Sequence, residues 1–72
     1  MKKEDMTQLD PVEIKRTYHF PDGAVVELRN VEAILVRPSG SHRLSTKDGI
    51  LHIVPVGWIH IEIVTETSEW TI

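Results

Sequence analysis

Trp58-Ile59-His60-Ile61-Glu62-Ile63-Val64 alternates its isoleucines strictly with Trp58, His60 and Glu62. A period of two describes a β-strand, with Ile59, Ile61 and Ile63 on one face and Trp58, His60 and Glu62 on the other. The isoleucine row belongs in a core. The opposite row carries residue types common at binding and catalytic sites, yet no neighbouring residue completes a motif.

Working back along the chain, Pro55-Val56-Gly57 reads as a three-residue loop that folds 58–64 onto Ile50–Val54. Matching Leu51 and Ile53 to Ile61 and Ile59 sets His52 opposite His60 and Val54 opposite Trp58. The preceding turn allows two registers. An Asp48-Gly49 turn aligns Leu44 with the isoleucine face, whereas a Lys47-Asp48-Gly49 loop places Leu44 beside His52. Pro38-Ser39-Gly40-Ser41 is a further turn, giving strands over Val31–Val36 and His42–Thr46, and Arg29-Asn30 interrupts the pattern before Val31.

Pro21-Asp22-Gly23 is the strongest turn, with proline presetting the first central residue and glycine taking the positive φ. It pairs Phe20 with Ala24, Tyr18 with Val26 and Arg16 with Leu28, so turn chemistry and hydrophobic pattern agree. Asp10-Pro11-Val12-Glu13 has the cap residues of a helix start, but Val12, Ile14, Tyr18 and Phe20 fall on alternate residues. At most one helical turn at 10–13 is expected, followed by a strand to Phe20. Residues 1–9 are polar and read as a mobile segment, leaving 10–72 as one domain. A final strand over 69–72 is left open.

Turns at roughly ten-residue spacing with almost no helical pattern describe an all-β antiparallel meander of five to six strands. A flat sheet of this length would leave its apolar face wet, so a curled sheet or a small barrel is expected. The pattern resembles small SH3-like and OB-like barrels at the level of fold, which implies nothing about function.

Composition bounds the function classes. The chain has 72 residues, no cysteine and a net charge of -3, so it has no disulfide framework and no thiolate chemistry. Its start lacks the apolar stretch of a signal peptide, and its longest apolar run is too broken to span a membrane, so a soluble cytoplasmic protein is expected. The acidic excess lies in Glu62, Glu66 and Glu69. No nucleophile elbow, triad or paired carboxylates appear, and an enzyme is not expected.

Three surfaces remain. Trp58, His60, Glu62 and His52 form a candidate contact face for a protein partner or a second copy, and 58–64 would invite pairing if it lay at a sheet edge. Two imidazoles and a carboxylate also suit zinc or non-haem iron. A solvated sheet face accounts for His52, His60 and Glu62 more simply, so no metal or other cofactor is expected. Arg37, His42, Arg43 and Lys47 form a short basic stretch around a Ser/Gly turn, an alternative site for an anion or nucleic acid. That footprint is narrow for phosphate-dominated binding, and nucleic acid is the less favoured partner.

Overall fold

The computed structural model describes residues 6–66 and, by backbone alone, 69–71. The strands are β1 (Thr7–His19), β2 (Val25–Val36), β3 (His42–Thr46), β4 (Leu51–Val54), β5 (His60–Val64) and β6 (Glu69–Thr71). They form one antiparallel sheet in the order β4-β3-β2-β1-β5-β6. The fold class is therefore the all-β one read from the turns. The sheet is open rather than closed into a barrel, with β4 and β6 at its edges.

Three hairpin loops share one construction. In each, the residue before the loop accepts a hydrogen bond from the loop glycine and donates to the residue after it: Phe20 with Gly23 and Ala24, Arg37 with Gly40 and Ser41, Thr46 with Gly49 and Ile50. The glycines take φ of 89°, 93° and 86°, the left-handed region that glycine enters without steric cost. The middle side chain of each loop accepts a backbone N–H two residues on: Asp22 from Ala24, Ser39 from Ser41, Asp48 from Ile50. The Pro21 register is the expected one, Tyr18 against Val26 and Arg16 against Leu28. The third loop takes the Lys47-Asp48-Gly49 alternative, which sets Leu44 against His52.

Pro55-Val56-Gly57 is not a fourth such loop, and this corrects the expected last hairpin. Val56 cannot supply the side-chain acceptor that Asp22, Ser39 and Asp48 provide. Gly57, at φ 125°, carries the chain onward instead of back. Residues 55–59 cross to the far side of the sheet, where the Ile59 N–H donates to the His19 carbonyl at 2.8 Å. β5 then pairs with β1, His60 against His19 and Ile61 against Tyr18. With β1 on one side and β6 on the other, β5 does not lie at a sheet edge, so the condition for pairing through 58–64 is not met. The edges are β4 on one side and β6 on the other.

Other corrections lie in the first two strands. Residues 10–13 form no helical turn. They belong to β1, where the register slips between Gln8 and Glu13 so that four intervening residues of β1 answer one of β2. Thr7 and Gln8 pair with Ile34 and Ala33, so the sheet begins before residue 10. Residues 1–5 of the segment read as mobile lie outside the described residues. The interruption at Arg29-Asn30 lies within a continuous β2: Asn30 takes φ 55°, while the register against β1 is unchanged across it, Arg29 with Lys15 and Val31 with Glu13. The left-handed residue stands between Leu28 and Val31, which are three residues apart and both face the core.

One face of the curled sheet covers itself. Tyr18, Leu28, Val31, Leu44, Val54, Ile61 and Ile63 form a single buried cluster drawn from β1 to β5. Trp58 packs against it from the crossing, edge-on to Tyr18 at 5.0 Å between ring centroids. The crossing also packs on the Arg37–Ser41 turn, where a Cβ at Gly40 would stand 3.0 Å from Val56 Cγ1. Gly40 is thus required by conformation and by space.

Candidate functional site

The sheet presents two polar constellations, one on each face. On the inner face, bulging between Gln8 and Glu13 brings the Glu13 carboxylate over Arg16. Arg16 Nε donates to Glu13 Oε1 at 2.8 Å, Nη2 to Oε2 at 3.2 Å, and Nη1 to Tyr18 Oη at 3.0 Å. The Tyr18 hydroxyl accepts from Arg16 and shares a further hydrogen bond of 2.7 Å with His42 Nδ1. Glu13 and Arg16 are 6 % and 7 % exposed and Tyr18 is fully buried, so the chain of bonds ties β1 to β3 through the core.

Burial raises the Tyr18 pKa, which keeps the phenol protonated. Burial works against the Arg16 charge, but its bonds to Glu13 and the neighbouring Tyr18 more than offset this and raise its pKa. His42 is pushed below the ordinary imidazole range by burial first and by the Arg16 cation second. Its ring also lies 4.6 Å from that of Trp58. The arrangement is a polar clamp, with a neutral histidine at its end.

With the folded pKa of His42 lowered, the unfolded chain binds the extra proton first as pH falls through about 6.5. The clamp's contribution is complete at neutral pH, declines below the ordinary histidine value, and levels off once folded His42 also protonates. Urea midpoints compared at about pH 7 and 5.5 should fall more steeply for the natural protein than for His42→Asn. Equal slopes would remove His42 from this role.

On the outer face, His19 and His60 are direct cross-strand partners, and their rings stack at 4.3 Å with 25° between planes. Glu62, two residues along the same face of β5, reaches back so that Oε1 lies 2.5 Å from His19 Nε2 and 3.9 Å from His60 Nε2. The His19 hydrogen bond, reinforced by the charges of His19, His60 and Lys15, holds the Glu62 carboxyl below the usual carboxylate range. His19 was not singled out from the sequence. No local pattern pairs it with residue 60, because that requires knowing that β5 joins β1.

The contact face expected from Trp58, His60, Glu62 and His52 is divided. Trp58 and His52 lie on the inner side, and His52 is paired with Leu44 and within 3.2 Å of Thr46 Oγ1. His60 and Glu62 face outward on the opposite half of the sheet. The expected pairs His52 with His60 and Val54 with Trp58 do not form; Val54 pairs with His42. The cause is the chain crossing, which separates β4 from β5 by three strands.

The basic quartet is not gathered either. Arg37 and Lys47 sit in turns at opposite ends of β3, His42 points into the core, and Arg43 lies outward between Leu35 and Ile53. The backbone amides of Arg37, Gly40 and Ser41 are committed within their own turn, which leaves little of the expected anion cradle. Among the described residues, no helix is long and apolar enough to cross a membrane.

The exposed apolar residues concentrate instead along and beside β4. Ile50, Leu51 and Ile53 are 51 %, 46 % and 58 % exposed, with Leu51 and Ile53 on the outer face. Comparison with protein-family models, curated proteins and solved structures finds no match to this chain.

Proposed function

We propose that the protein is a small interaction module that pairs with a second copy of itself through the free edge of β4. The observation that carries this reading is the character of that edge. Natural sheets blunt exposed edges with very short strands, lysine, proline or bulges, because unpaired N–H and C=O groups recruit other strands; β4 is short, at four residues, but carries none of the other three. From Ile50 to Val54 there is no charge, no proline and no register slip, and Leu51 and Ile53 stand exposed beside the open ladder.

A second copy suits this edge for two reasons. Antiparallel pairing about a two-fold axis sets the Leu51 and Ile53 rows of the two chains against each other on one face. With no Asp, Glu, Lys or Arg between Ile50 and Val56, identical edges meet without like-charge opposition. A chain of 72 residues also has a small core of its own and gains from burying more apolar surface.

Light scattering and sedimentation of the natural protein should report a dimer, and Ile53→Lys should report a folded monomer with an unchanged β-sheet circular dichroism spectrum. A natural protein that stays monomeric, or a dimer that survives both Ile53→Lys and Leu51→Lys, would overturn the reading. A monomer that instead gains an added strand from an extended peptide would assign the same edge to a different occupant and so also reject self-pairing.

A further inference from the structure

We propose that His19, His60 and Glu62 form a binding site for a divalent transition metal of the zinc class on the outer face of β1 and β5. It is independent of pairing through β4, which lies at the other side of the sheet.

The geometry is that of an open three-ligand site. One ligand atom from each of the three side chains falls within 4.8 Å of the other two. Neighbouring ligands about a zinc ion, at metal–nitrogen distances of about 2.0–2.1 Å, stand roughly 3–3.5 Å apart. The observed 2.5 Å from Glu62 Oε1 to His19 Nε2 and 3.9 Å to His60 Nε2 bracket that spacing. To take up an ion the side chains must rotate, opening the Glu62–His19 contact and turning the stacked rings so that both Nε2 lone pairs converge.

The backbone that carries the ligands is fixed on both sides. His19 and His60 are paired in register, Thr17 faces Glu62, and the Ile59 N–H is bonded to the His19 carbonyl. Side-chain exposures of 30 %, 40 % and 48 % for His19, His60 and Glu62 leave an open side for entry and for water as remaining ligand. The donor set selects among metals. Two imidazoles and one carboxylate suit zinc, nickel, cobalt or copper, whereas magnesium and calcium demand oxygen ligands in greater number.

One neighbour opposes the cation. Lys15 lies on the same outer face of β1, two residues from Thr17, and close enough for its charge to act on Glu62. Its positive charge competes with a bound metal, so Lys15→Gln should bind more tightly than the natural chain. The bound ion would join β1 to β5 and fasten the strand that the 55–59 crossing delivers.

The test is a titration of the full chain with Zn2+ alone, followed by calorimetry and by NMR of the histidine rings. One zinc per chain is expected, with shifts confined to the His19 and His60 rings and none at His42 or His52. Glu62→Gln and His19→Asn should each weaken binding on the order of tenfold or more, since even outer partners of metal ligands contribute that much. His52→Asn and Ile53→Lys should leave it unchanged. Zinc should raise the thermal midpoint of the natural protein and not that of Glu62→Gln, whose half-exposed side chain can be exchanged without disturbing the core. Unshifted His19 and His60 rings, affinity indifferent to Glu62→Gln, or zinc bound only between two chains would overturn the assignment.

Discussion

Glu13→Ala should destabilise the protein by about 3–5 kcal/mol, the range for leaving one member of a buried ion pair without its partner. Arg16 is 7 % exposed and its guanidinium spends two donors on Glu13. With the carboxylate gone, that charge remains in the core, hydrogen-bonded only to Tyr18 among the polar groups described. A domain of 72 residues has a total stability of about 4–11 kcal/mol at typical values per residue, so the loss is a large share of the whole. The contrasting variant is informative. Removing both charges in Glu13→Leu/Arg16→Met should cost far less, because the desolvation of both ions is recovered along with their attraction. Urea unfolding followed by tryptophan fluorescence measures both, and a Glu13→Ala loss below about 1 kcal/mol would mean that water reaches Arg16.

Ile61→Lys should unfold the chain, whereas Ile59→Lys should be tolerated. The two isoleucines belong to one alternating row in sequence, yet they are 5 % and 66 % exposed. Ile61 lies opposite Tyr18 within the buried cluster, and a lysine there either buries an unpaired ammonium or tears β5 from β1. Either cost is several kcal/mol and rivals the stability of the fold. Ile59 precedes β5 and its side chain is largely in water, so its substitution should stay within about 0.5 kcal/mol. Circular dichroism of the two variants separates these outcomes. A folded Ile61→Lys would contradict the placement of β5 in the core.

Local chemistry was legible in the sequence and long-range pairing was not. The Pro21 loop and its register followed from proline, aspartate and glycine in order, and the same chemistry recurs at 38–40 and 47–49. The one turn that fails, 55–57, differs by a feature visible in the sequence: valine stands where the others have aspartate or serine. What no local pattern carries is which free edge a strand joins after it fails to fold back. That choice turns His60 away from His52 and toward His19. The place of Trp58 was legible locally, since a tryptophan directly after a glycine turn reads as covering the open end of a core, and it packs there.

These irregularities were hidden for a related reason. Asn30 shifts the inward phase of β2 by one residue, and the slip between Gln8 and Glu13 turns an acidic side chain into the core beside Arg16. Strict alternation assigns such residues to the wrong face. Glu13 consequently read as a helix cap, although its role is to neutralise a buried cation.

The divided contact face, the exposed β4 edge and the histidine pair all depend on the crossing that brings β5 beside β1. Cross-strand proton NOEs test it directly. Backbone contacts from Tyr18 and His19 to Ile61 and His60, with none between His52 and His60, are expected. Contacts linking Leu51–Val54 with Trp58–Ile61 would restore the local hairpin and contradict the account.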